Sequence, residues 1–170
     1  MSSSIDTSNS SLSSSFYLGK YYSPNREAKK SSGRTDISDS LLVSYDTKAL
    51  NKFIKDVRTL NFNAEQSNAD SNLKGKVGAF VSIYNNFKSS TAKSTSYDVT
   101  YRADKISKLT KSQSKALEKI GITVKSDSTL EIDEDKLKNA KIDDVKNLFS
   151  NSSDFMKQIK KSVSKINMTL

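Results

Sequence analysis

The sequence predicts a mainly α protein: an antiparallel helical bundle or rod with one small β-hairpin, preceded by a disordered N-terminal tail. Three observations predict it. Apolar residues recur at spacings of three and four in several separate stretches, the period of a helix with one buried face. Residues 121–132 carry alternating apolar positions around a polar turn, the period of two paired strands. Nine of the first fifteen residues are serine, and such a segment has too little apolar surface to offset the entropy of ordering it. The expected division is therefore a tail over residues 1–35 and a helical domain over residues 36–170.

Composition narrows the function classes. A chain of 170 residues can hold one domain with a core, but 34% apolar residues and a mean hydropathy of −0.62 are low for a fully packed globule. The net charge of +9 favours anionic partners such as nucleic acid, acidic glycans or membrane head groups, without selecting one. Residues 1–45 hold five basic and four acidic residues, so +8 is spread over the remainder, which is the pattern of a solvated surface. Absence of cysteine, histidine and tryptophan removes disulfides, thiolate and imidazole chemistry and most zinc and haem sites. A serine nucleophile would need a lysine base in a desolvated site, and no serine–lysine pair is marked out. The expectation is a protein that is not an enzyme, with no catalytic residue, cofactor or metal. No apolar run approaches the ~20 residues that span a bilayer. The polar start MSSSIDTSNSSLSSS lacks the basic-then-apolar layout of a cleaved secretory leader, so any export would use a route that reads an uncleaved start.

Taken in order, the tail contains FYLGKYYSPNREAKK, where Phe16, Tyr17, Tyr21 and Tyr22 mix with Lys20, Arg26, Lys29 and Lys30. Aromatics beside cations can stack on bases and grip phosphates, yet no recognition module such as an RNP pattern accompanies them. The same mixture also suits a segment that docks on a protein partner. Leu41, Leu42 and Val43 read as a short strand or an early helical turn. Asp46 is placed to cap a helix from Thr47, with Leu50, Phe53, Ile54, Val57 and Leu60 along one face. The asparagine-rich stretch 61–72 then reads as a loop.

Residues 72–93 carry the strongest pattern. Leu73, Val77, Phe80, Tyr84 and Phe87 alternate spacings of four and three, which lays one apolar seam along a helix, and a seam requires a partner. The commoner partner is another helix of the same chain, here the one ending near Leu60 in an antiparallel hairpin. The sharper alternative is a surface between subunits of an assembly. Gly75-Lys76-Val77-Gly78 lies inside this helix and lacks the GxxxxGK[ST] spacing of a phosphate loop.

A third periodicity follows at Ile106, Leu109, Leu117 and Ile120, stopped by Gly121. Ile122-Thr123-Val124, the turn KSDS and Leu130-Glu131-Ile132 form the hairpin. Asp133 caps a helix containing Leu137 and Ala140, Asp143 caps another containing Val145, Leu148 and Phe149, and a last helix begins near Ser153 with Phe155, Ile159, Val163 and Ile166 inward. Asp127, Glu131, Asp133, Glu134 and Asp135 invite a calcium loop, but counting twelve from Asp127 reaches Lys138 instead of a bidentate acid. Capping and solvation account for these acids.

The order Phe80-Val81, Tyr84-Asn85, Tyr97-Asp98, Leu117, Ile120-Gly121-Ile122, Leu130, Ile132-Asp133, Lys136-Leu137, Val145 and Leu148-Phe149 resembles the C-terminal part of the bacterial flagellar filament-capping, hook-associated protein family. LEKIGITVKSDSTLEIDEDKL is the most specific block, and Asp127-Ser128 stands where the family often has Asp-Gly. Upstream, Val43-Ser44, Asp46, Ile54 and Val57 are similar to the family's strand-to-helix lead-in, so the resemblance covers about Val43 to Ile166. It implies the family's helical rod domain in a shortened form, without the outer domains that members usually carry. It further implies a structural protein of the flagellum or a derived surface structure, extracellular and exported without a cleaved leader. Coiled-coil packing, self-assembly and a role in motility or adhesion go with that family. Its implied partners are flagellar axial proteins or other copies of this chain. The alternative reading from composition is a basic module whose N-terminal tail contacts nucleic acid or another anionic partner.

Overall fold

The computed structural model describes residues 14–22, 38–58 and 66–167. The elements in chain order are helices α1 (Ser14–Tyr21), α2 (Asp39–Arg58), α3 (Gln66–Thr91), α4 (Tyr97–Ser112) and α5 (Ser114–Lys119). Strands β1 (Ile122–Val124) and β2 (Leu130–Ile132) come next, then helices α6 (Glu134–Asn139), α7 (Ile142–Phe149) and α8 (Asp154–Asn167). The predicted class, helices with one small antiparallel hairpin, is the one observed.

α3 is the spine. It packs on α1, α2, β2, α6, α7 and α4, and its 26 residues extend about 39 Å at roughly 1.5 Å per residue. α2 lies antiparallel to it: Asp56 near the end of α2 meets Lys76 in the first half of α3, while Asp46 reaches Asn86 through the Tyr22 hydroxyl. Leu50, Phe53, Ile54 and Val57 supply the α2 face and are all buried. The 3.6-residue period puts these positions on one stripe, so one helix can bury all of them against α3.

The rings gather where four helices meet. Phe80 on α3 sits 5.1 Å from Phe53 on α2, 5.2 Å from Phe149 on α7 and 6.4 Å from Phe155 on α8, centroid to centroid. Phe149 in turn meets Phe53 at 6.1 Å and Phe155 at 6.0 Å, both edge to face, the arrangement that ring quadrupoles favour. This cluster joins the α2/α3 pair to the C-terminal elements. A second tie is polar: the Asn85 amide donates to the Leu130 carbonyl and accepts from the Leu130 N–H, both at 2.8 Å. One side chain thus occupies the free edge of β2 as a neighbouring strand would.

The hairpin pairs Ile122 with Ile132, Thr123 with Glu131 and Val124 with Leu130. Gly121 precedes it at φ 89°, and Ser128 in the turn is also left-handed at φ 67°. A Cβ at Gly121 would lie 2.8 Å from the Asp133 carbonyl oxygen and 3.0 Å from the Leu137 nitrogen, both backbone atoms that cannot step aside. Gly121→Ala is expected to lose about 2–3 kcal/mol, combining left-handed strain with the clash. Urea unfolding checks it; an unchanged midpoint would mean that this junction tolerates rearrangement.

Four expectations are corrected. Residues 14–22 were expected within the disordered tail; they form α1 and its last turn, and Tyr17, Tyr21 and Tyr22 are buried on α2 and α3. The remainder of the tail, with Arg26, Lys29 and Lys30, lies outside the described residues. Asp46 does not cap a helix: α2 starts eight residues earlier, where the Ser38 hydroxyl accepts from the Leu41 N–H at 3.4 Å. Asp46 is an interior, buried residue. The loop expected over 61–72 is helical from Gln66. Asp143 falls in the first turn of α7, whose N-cap is Lys141, so it complements the helix dipole without capping. Asp133 does cap α6, accepting from the Lys136 N–H at 2.9 Å, and the Ser153 hydroxyl accepts from the Met156 N–H at the start of α8.

Candidate functional site

The seam Leu73, Val77, Phe80, Tyr84 and Phe87 is enclosed by this chain, each residue no more than 1% exposed. It is therefore an internal axis of this chain's own bundle. Tyr84 is buried with Ser107 and Thr110 of α4 beside its hydroxyl.

The other face of the α2/α3 pair is a groove filled by α1. Three tyrosines insert and each hydroxyl donates to a polar group on the wall: Tyr17 to Asn72 at 2.9 Å, Tyr21 to Asp56 at 2.6 Å and Tyr22 to Asp46 at 2.8 Å. Asn86 donates to the Tyr22 hydroxyl at 3.1 Å. The Lys76 ammonium, on a side chain only 7% exposed, lies 3.0 Å from Asp56 and 5.6 Å from the Tyr17 ring centroid. Here the second glycine of Gly75-Lys76-Val77-Gly78 finds its use. A Cβ at Gly78 would collide with the Ser14 hydroxyl and lie 2.9 Å from its Cβ, so the bare backbone at Gly78 lets α1 approach α3.

The candidate tail contacts are divided by this geometry. Tyr17, Tyr21 and Tyr22 face the groove. Phe16, 52% exposed, packs edge-on against Tyr17, and Lys20 points to solvent. The sequence placed these residues together as candidates, but the fold turns the tyrosines inward.

A different aromatic pair is exposed. Tyr97 and Tyr101, one turn apart on α4, are 81% and 44% exposed and stack with centroids 5.9 Å apart. Lys105 lies 4.7 Å from the Tyr101 ring centroid. The spacing 97, 101, 105 is helical, but with Lys105 as its third member it marks no apolar stripe. Next to it, Lys88, Thr91, Thr100, Asp104 and Ser107 line an open polar cleft between α3 and α4.

The tyrosines differ in acidity for physical reasons. Hydrogen bonding and charge from Lys105 hold Tyr101 below its usual range. Burial pushes Tyr17, Tyr21 and Tyr84 up, and the Asp56 carboxylate adds to this for Tyr17 and Tyr21. Released tyrosines ionise near pH 10 and docked ones resist, so the contribution of these three rings to stability is constant below about pH 10 and falls as the pH rises beyond it. Absorbance titration is expected to show Tyr101 ionising while helicity is intact, and Tyr17, Tyr21 and Tyr84 ionising only with its loss. A single step for all seven tyrosines at unchanged circular dichroism would refute this.

Comparison with known proteins falls on one part of this framework. Residues 99–167 match the family described as flagellar hook-associated protein 2 C-terminus, a span running from the first turn of α4 to the end of α8. The similarity expected from Val43 onward is thus located in the C-terminal elements. No curated protein and no solved structure matches the chain.

Proposed function

We propose, from the similarity of residues 99–167 to the flagellar hook-associated protein 2 C-terminus, that this chain is a non-enzymatic structural component of the bacterial flagellum or a derived surface structure. It acts through helix packing and self-assembly, with axial proteins or its own copies as partners, on the outside of the cell. The family match is the observation that carries this reading. Two features support it. The matched elements are fastened to α3 by the Phe53, Phe80, Phe149 and Phe155 cluster and by Asn85, as a structural part that must transmit load requires. The exposed Tyr97–Tyr101 pair stands at the start of the matched span, where a partner surface could cover it. Among the described residues no helix is long and apolar enough to cross a membrane.

The test is location. Cytoplasm, culture medium and sheared surface filaments of the native bacterium are separated and probed by antibody. The chain is expected in filaments or medium, and expected to vanish from both when flagellar export is disabled. Confinement to the cytoplasm would overturn the proposal.

A further inference from the structure

α1 has eight residues, fewer than the about 12–15 at which an isolated helix becomes even marginally stable in water. Its order therefore comes from the groove. The groove is specific: Asn72, Asp56 and Asp46 each receive one tyrosine hydroxyl, and Gly78 leaves a notch against Ser14. Every one of these wall residues belongs to α2 or α3. None of the contacts depends on the covalent route by which α1 arrives. Residues 23–37 separate the α1 segment from Ser38, and fifteen residues can reach at most about 50 Å.

We propose that the groove between α2 and α3 is also a docking site for α1 of a second copy, so that copies of this chain join by exchanging α1. The occupant is fixed by complementarity, because the only ligand whose tyrosine spacing is known to match the three acceptors is the one this chain carries. Contacts within and between copies are identical, so the balance is set by concentration. Short covalent links in general give effective concentrations on the order of mM. Exchange takes over where copies are crowded to a similar density, and exchange of an identical element is a low-cost route to association. The inference stands apart from the flagellar reading, since it needs only the groove and the helix.

Full-length chains test this at about 1 mM, the concentration scale at which exchange competes. Gly78→Leu closes a groove and frees its α1, while Tyr17→Ala/Tyr21→Ala/Tyr22→Ala leaves a groove open. Each chain alone, checked for helicity by circular dichroism, is expected to be monomeric by light scattering, and their equimolar mixture to form a one-to-one dimer. A mixture that stays monomeric overturns the proposal.

Discussion

Phe80→Asp is expected to unfold the chain outright. Phe80 has no exposed surface and its ring touches Phe53, Tyr84, Phe149 and Phe155, so one substitution reaches α2, α3, α7 and α8 together. Removing a buried phenylalanine ring to alanine costs about 3–5 kcal/mol. A carboxylate in the same place adds several more, because it must be desolvated or protonated without a partner. Domains of this size have about 5–15 kcal/mol in total, so the sum exhausts the lower part of that range. Phe80→Ala is expected to fold with the smaller loss. Circular dichroism and urea unfolding distinguish the two, and a Phe80→Asp chain that keeps cooperative unfolding at the original midpoint would show that the ring cluster is not the joint of the bundle.

What the sequence made legible follows from the range of each signal. Gly121, Asp133 and Ser153 act on atoms within a few residues of themselves, so the helix stop, the α6 cap and the start of α8 could be read directly. The hairpin alternation is equally local. The five-residue seam on α3 was legible because 22 residues of consistent period leave little alternative, although the period alone does not say whether the partner is internal. α1 was hidden for the opposite reason. Its tyrosine hydroxyls find acceptors 24 to 55 residues away, and nothing in a serine-rich neighbourhood announces them. Asp46 shows the same limit in one residue. An aspartate before an apolar run is the usual sign of a cap, yet in the fold it is the buried acceptor for Tyr22, and Ser38 takes the helix start. In the sequence Lys76 stands only beside the apolar seam and in a mismatched phosphate-loop pattern; its role appears once Asp56 and Tyr17 are brought to it by the antiparallel pairing of α2 with α3. Of the charges that hold α1 in place, Asp56 and Lys76 thus carry no assignment from sequence and Asp46 carries a different one.

The second large effect concerns those charges and is expected to be asymmetric. Asp56→Ala removes the carboxylate 3.0 Å from the Lys76 ammonium and the acceptor of the Tyr21 hydroxyl at 2.6 Å. Lys76 stays behind on a side chain 7% exposed. Breaking a buried pair from one side costs about 3–5 kcal/mol, chiefly because the remaining charge is stranded. Lys76→Met is a milder change, since Asp56 keeps the Tyr21 hydrogen bond and is itself 24% exposed; a loss of about 1 kcal/mol or less is expected for replacing a paired ion by an apolar chain of similar length. The double variant Asp56→Ala/Lys76→Met should then recover much of what Asp56→Ala loses, because no ammonium is left to strand. Urea unfolding of the four chains closes the cycle, and a coupling near zero would show that the pair is solvated and contributes little. Tyr21 absorbance provides the local readout. In Asp56→Ala the Tyr21 ring is expected to ionise at lower pH than in the parent, since one of the influences pushing it up is gone, and α1 to loosen before the rest of the bundle. Loss of the whole fold at one midpoint, with α1 no more labile than α3, would instead make the groove an inseparable part of the core.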